Sequence, residues 1–173
     1  TGFEKLGDNG AVGLALYHMG STLITESRYE EGVVVLKNAR KKFLAVKDKR
    51  MASVVTADIG GARALEGKLD EAKKIYRKVR RDSHSPEAVM RALNGLSVLA
   101  DEVDADYVEA IRLNTKLIKV ANSIPDDHYM AFDRDRYMRA AMTNLGLFHK
   151  GLGNYPAAIE ISRQALDLAI KMD

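Results

Sequence analysis

The feature that most limits what this chain can fold into is a spacing that returns four times. Gly20 follows the large Met19; Tyr29 comes nine positions on, Gly32 three after that and Ala39 seven further. Gly60 is followed at the same nine, three and seven by Leu69, Ala72 and Val79, and Gly146 by Tyr155, Ala158 and Ala165. The fourth copy, Ser97 with Tyr107, Ala110 and Leu117, reads ten, three and seven, its extra residue falling within Asp104-Ala105-Asp106. Such a period marks a supersecondary unit that stacks on its neighbours, since one unit alone cannot bury its apolar face.

Each unit reads as two antiparallel helices. Gly20, Gly60 and Gly146 stand inside helix-period segments, where a glycine costs about 1 kcal/mol relative to alanine. Close approach of two backbones offsets that cost, with Gly32, Ala72, Ala110 and Ala158 as the facing small residues. Turn residues separate the halves at Glu26-Ser27-Arg28, Gly67-Lys68, Asp104-Ala105-Asp106 and Gly153-Asn154. Ser85 can cap a helix that begins at Pro86, and Asn154 one with Pro156 in its first turn. Pro125 breaks the chain, and Asp126-Asp127 can open the next helix with carboxylates at its positive end. The pattern predicts eight helices, at 10–26, 29–47, 49–66, 69–82, 86–103, 106–122, 128–152 and 155–171. Paired, they give four hairpins at roughly 10–47, 49–82, 86–122 and 128–171 of a single repeat domain spanning 1–173.

Composition agrees with an all-α class. Hydrophobic residues make up 46% and charged residues 29%, aromatics only 6%, with no Trp and three Pro. The usage suits helices that pack through small and aliphatic side chains. No cysteine is present, which excludes disulfides and thiolate metal sites and weakly favours a reducing, cytoplasmic setting. The longest apolar run, Gly32 to Leu36, is far short of a membrane span.

The frame resembles the tetratricopeptide repeat, and Asn144-Leu145-Gly146, Gly153-Asn154-Tyr155, Ala157-Ala158-Ile159 and Gln164-Ala165-Leu166 read almost as its consensus. The resemblance covers nearly the whole chain, from Gly10 to Lys171. Anchor separations of 40, 37 and 49 residues exceed the roughly 34 of the ordinary family. Repeats near that length resemble those of kinesin light chains and of sensor arrays in bacterial and archaeal regulators. The resemblance implies a right-handed α-solenoid of four hairpins. Phe3 to Asp8 resembles the close of a preceding repeat, and Lys171-Met172-Asp173 the lead into another, as expected of a segment from a longer chain.

The resemblance also implies that the first helix of each hairpin lines a concave face where a protein or peptide binds. In this register the lining positions include Leu14, Tyr17 and Ser21; Ala57, Asp58 and Gly61; Arg91, Asn94 and Val98; and Thr143, Asn144 and Leu147. The Lys and Asn clamp by which some family members hold a terminal carboxylate lacks its Lys in the first three hairpins. Arg91 and Asn94 instead suit a mixed polar and apolar segment with an acidic group, beside room left by Ala57 and Gly61. Arg63 and His149 stand where the family has packing side chains. Snorkelling explains the first, and a satisfied interior imidazole the second, more simply than a polar function.

Charge is unevenly spread: residues 37–91 hold 16 Lys or Arg against 7 Asp or Glu, a net of +9 in a chain of net +3. This basic stretch, mostly on second helices, offers a nucleic acid or acidic partner an alternative surface, and the acidic remainder permits self-association. No catalytic arrangement survives inspection. His18, His84, His128 and His149 have no metal-ligand spacing, and Asp126, Asp127, Asp133 and Asp135 read as helix-start and solvent-face residues. The expectation is a binding scaffold with no cofactor, no metal, no membrane contact and no enzymatic chemistry of its own.

Overall fold

A computed structural model describes residues 8–128 and 130–172, without the side chain of Phe132. Among the described residues there are eight helices and no strand: α1 (Asn9–Thr25), α2 (Tyr29–Ala45), α3 (Lys49–Leu65), α4 (Leu69–Asp82), α5 (Pro86–Glu102), α6 (Tyr107–Ala121), α7 (Ala131–Gly151) and α8 (Tyr155–Met172). Phe3 to Gly7 and Asp173 lie outside the described residues.

Local chemistry accounts for most of the ends. The carboxylates of Asp8, Asp48 and Asp106 accept from the main-chain N–H of Ala11 (2.9 Å), Met51 (2.8 Å) and Glu109 (2.9 Å), satisfying donors that a helix start leaves open. Ser85 does the same for Ala88 at 3.3 Å, ahead of Pro86 as expected. Asn154 does not: its carbonyl accepts from Ala158 N–H, but its side-chain amide lies 3.5 Å from His149 Nδ1. The intra-hairpin turns each contain one residue of positive φ, namely Ser27 (62°), Gly67 (82°), Ala105 (50°) and Gly153 (74°). In the first turn the N–H of Ser27 and Arg28 return to Ile24 and Leu23, closing the last carbonyls of α1. The extra residue of the third copy is absorbed in its turn, leaving both flanking helices in register.

The one expected start displaced by more than a single residue is that of α7. Asp126 and Asp127 do not open it; they sit in a connection where His128 N–H returns to the Pro125 carbonyl and Ala131 N–H to that of His128. Arg134 decides the matter: it donates to Asp126 (2.5 Å), Asp135 (2.6 Å) and the Ile124 carbonyl (2.9 Å). That grip, with Met130 buried beneath, holds the connection against α7 and postpones the helix by about one turn.

The chain divides into two compact units, Thr1–Ala88 and Val89–Asp173. In the first, α2 packs on α1 and on α3, and α4 on α3. Its core joins Val33, Leu36, Ala39 and Phe43 of α2 to Ala52, Val55, Ile59 and Ala62 of α3, with Leu16, Tyr17, Ile24, Met51 and Ile75 around it. In the second, α7 packs on both α6 and α8, over Leu113, Leu117, Leu145 and Phe148.

The helix crossings use the repeated small residues in different ways. A Cβ built on Gly20 would lie 3.2 Å from the Gly32 carbonyl oxygen, and one on Gly32 would lie 3.0 Å from that of Gly20, so two backbones meet there. At Gly146 the nearest atoms are Ser162 Oγ at 2.6 Å and the Ala158 carbonyl oxygen at 3.5 Å. Gly60 departs from expectation: its space is taken by the Tyr76 ring, at 2.9 Å from a built Cβ, and not by Ala72. In the third hairpin the Ser97 hydroxyl donates to the Ala110 carbonyl at 3.5 Å, and the Asn114 amide donates to Ser97 Oγ and to the Ala110 carbonyl (3.0 Å).

Asn114 occupies the place that Leu36 fills in the first hairpin, and its buried Oδ1 has no hydrogen-bond partner. An unsatisfied buried acceptor costs about 1–3 kcal/mol, whereas replacing both members of a polar pair by apolar groups is neutral or favourable. The double substitution Ser97→Gly with Asn114→Leu, which installs the Gly20 and Leu36 pair, is expected to raise stability by about 1 kcal/mol in urea melts. A lowered midpoint would contradict this reading.

Candidate functional site

In the first unit the structure joins two of the expected lining residues directly. Tyr17 on α1 donates from Oη to Asp58 Oδ2 on α3 at 2.9 Å, across 41 residues of sequence. The first helices of successive hairpins therefore present polar groups to one shared surface. Ser21 lies one turn beyond Tyr17 and donates to its carbonyl (2.9 Å), while the His18 ring stands 5.5 Å from that of Tyr17. Gly61 lies three residues beyond Asp58, half-buried, with Tyr76 Oη 3.4 Å from a built Cβ. Ala57 is buried and leaves no room at the surface, so the space expected beside Gly61 is smaller than the sequence suggested.

In the second unit Arg91, Asn94 and Val98 fall at i, i+3 and i+7 of α5, on one helical face, each half-buried. Asn144 on α7 is also half-buried. Thr143 and Leu147 are exposed and line a groove of about 410 Å³ between α7 and α8, with Gly146, Tyr155, Ala158 and Ile159. The hydroxyl of Thr143 donates to the Arg139 carbonyl at 2.9 Å.

Two features escaped the sequence. Arg63 does not snorkel: it is buried, 3.1 Å from Glu30 on α2, 2.5 Å from Glu66 and 3.2 Å from Glu71 on α4. Lys68 completes the cluster through Glu30 and Glu66. Lys68 and then Arg63 hold the Glu30 carboxyl at about 2, far below its ordinary 4.5. The second feature is a groove of about 520 Å³ lined by Arg40, Lys49, Arg50 and His84 over Leu44, Ala52 and Pro86. Arg40 is braced by Thr56 (3.0 Å) and Arg50 by Glu87 (2.9 Å). The basic pair Lys49-Arg50 is visible in sequence, but its convergence with Arg40 and His84 depends on how α2, α3 and the α4–α5 connection meet. The acidic residues after Pro125 are engaged otherwise, Asp126 and Asp135 with Arg134 and Asp133 with Arg136. His149 is half-buried rather than interior.

Small-residue crossings and left-handed turns after each first helix define a fold class: an array of antiparallel helical hairpins. Residues 140–169, most of the last hairpin, match the tetratricopeptide repeat family. Among solved structures, the nearly identical TPR-like repeats of kinesin-light-chain type from Podosopora anserina align with a TM-score of 0.57 at 14% identity, covering 93% of this chain and 76% of theirs. A substituted form of the same repeats gives 0.59 at 14% identity, over 92% and 75%. Comparison with curated protein sequences gives no match. No helix among the described residues is long and apolar enough to cross a membrane.

Proposed function

We propose that the chain is a non-catalytic, cytoplasmic scaffold that binds a protein or peptide segment on its first-helix faces. The observation that carries this reading is the Tyr17 to Asp58 hydrogen bond, which ties the polar faces of α1 and α3 into one surface. On that surface Tyr17 supplies a ring, Asp58 a carboxylate, and Ser21 and Gly61 little bulk. In the second unit Arg91 offers a planar donor fork suited to a carboxylate, and Asn94 an amide able to pair with a peptide backbone. The segment bound there carries at least one acidic group.

A second reading has its own support, the basic groove at Arg40, Lys49 and Arg50, which suits an acidic protein partner. One experiment separates the two. Peptides are selected from a display library on the immobilised chain, and their affinities measured for Asp58→Lys, Arg91→Ala, Lys74→Ala and Arg40→Glu with Lys49→Glu. The first-helix reading expects losses of about tenfold or more for Asp58→Lys or Arg91→Ala, as when a desolvated charge pair is truncated, and little change for exposed Lys74→Ala. Peptides that lose binding only to the Arg40 and Lys49 variant use the basic groove, and the first-helix reading is then wrong.

A further inference from the structure

The groove over Leu44, Ala52 and Pro86 differs from much of the charged surface in what its cations meet. Elsewhere Arg28, Arg63, Arg112, Arg134 and Arg136 each stand 2.5–2.9 Å from a carboxylate. In the groove, Arg40 and Lys49 pair with no carboxylate among the described residues. Arg40 is held instead through Nε by the Thr56 hydroxyl at 3.0 Å, which orients the guanidinium and leaves its two terminal nitrogens to a ligand. Arg50 stands beside them, braced by Glu87, and the acidic residue of the lining, Asp82, is taken up by Arg81 at 2.7 Å.

Hydroxyls complete the donor set. Ser21, Thr22, Thr25, Thr115 and Thr143 each turn their hydroxyl back on the carbonyl four residues earlier, at 2.9–3.1 Å, the ordinary resting place of a helix hydroxyl. Ser53, half-buried on α3 at the groove, makes no such bond among the described residues. Ser85 also lines the groove and is only 6% exposed; its oxygen accepts from Ala88 N–H at 3.3 Å, and its hydroxyl hydrogen remains to donate. Three cations and two hydroxyls are more donors than the two oxygens of a carboxylate use. They suit the three oxygens and nearly doubled charge of a phosphate monoester. The lining holds no Phe, Tyr or Trp on which a base could stack, and Asp82 at its side opposes a continuous polyanion, so one compact anion fits better than a nucleic acid strand.

We infer that this groove binds a phosphorylated serine or threonine of a protein partner, with Leu44, Ala52 and Pro86 as the apolar floor for the flanking residues. The inference deepens the basic-groove reading and rests on it. It is compatible with a second segment on the first-helix face, because Thr56 in the groove and Asp58 on that face lie two residues apart, roughly 200° round α3.

Fluorescence anisotropy with three degenerate peptide pools, alike except for phosphoserine, glutamate or serine at the centre, tests this at an ionic strength of about 0.15 M. The phosphoserine pool is expected to bind about tenfold more tightly than the glutamate pool, and the serine pool least. Arg40→Ala with Lys49→Ala, both at exposed positions, is expected to abolish that preference with unchanged helical circular dichroism. Lys74→Ala with Arg77→Ala removes the same charge from exposed positions of α4 outside the groove and is expected to keep it. Ser53→Ala is expected to weaken the phosphoserine pool about fivefold, a loss that a diffuse positive field would not produce. Equal binding of the phosphoserine and glutamate pools, both lost in the Arg40 and Lys49 variant, overturns the phosphate inference and leaves the groove a carboxylate surface. Binding that falls equally in the two double variants, or is absent from every pool, overturns the groove reading as well. A single-stranded oligonucleotide that displaces the phosphoserine pool, and no longer binds the Arg40 and Lys49 variant, assigns the groove to nucleic acid and likewise overturns the inference.

Discussion

Replacing Gly32 by leucine is expected to lower the unfolding free energy by about 3 kcal/mol, at the upper end of what overpacking costs. A Cβ at Gly32 would lie 2.7 Å from Ile24 Cγ1, 3.0 Å from the Gly20 carbonyl oxygen and 3.3 Å from Ile24 N. Two of these three neighbours are backbone atoms of the facing helix, which cannot yield without moving α1 from α2. Gly146 provides the contrast. Its nearest neighbour is the hydroxyl of exposed Ser162, which can rotate away, so Gly146→Ala is expected to change stability by well under 1 kcal/mol, its clash offset by helix propensity. Gly146→Leu, reaching on towards the Ala158 carbonyl, is expected to cost more than about 1 kcal/mol. Denaturant melts of the three variants check the order, and a Gly32→Leu midpoint at or above that of Gly146→Leu would show that the tight crossing lies elsewhere.

Arg63→Ala is expected to destabilise the first unit by about 2 kcal/mol. The guanidinium is buried among three carboxylates, and its loss leaves Glu66, itself only 16% exposed at the side chain, facing Glu30 without its closest counter-charge. The figure is below that of a fully buried pair because Glu30 and Glu71 reach solvent, where water screens them. The same cluster sets an acid dependence. Glu30 titrates at about 2 in the folded chain against 4.5 ordinarily, so its contribution is complete above pH 4.5 and is lost as pH falls from there towards 2. Urea midpoints for the wild type and Glu30→Gln, compared at pH 7 and pH 3, should therefore converge at the lower pH. A gap that stays constant would mean that Glu30 contributes nothing through its charge.

The candidate site was legible to different depths. Tyr17 and Asp58 were recoverable because the repeat frame assigns both to the lining face of a first helix, and a period of 3.6 residues then fixes which way each points. Their mutual bond was not, since it depends on how α1 and α3 are each placed by packing on α2, contacts between residues far apart in the chain. Thr143 and Leu147 show the opposite failure. Their place in the frame matches Tyr17 and Ser21 in kind, yet both are exposed and border the groove between α7 and α8.

Sequence by itself determined the eight helices and their order along the chain, because helix periodicity, capping aspartates and small-residue spacing act over a few turns of chain. Only the tertiary structure decided how each crossing is filled: by backbone at Gly20 and Gly32, by the Tyr76 ring at Gly60, by a polar pair at Ser97 and Asn114. It also decided that Arg63 is buried and that α7 starts late. Those outcomes rest on ion pairs and contacts between residues far apart in the chain, and the energy of such pairs depends on burial and distance, quantities that no local spacing encodes.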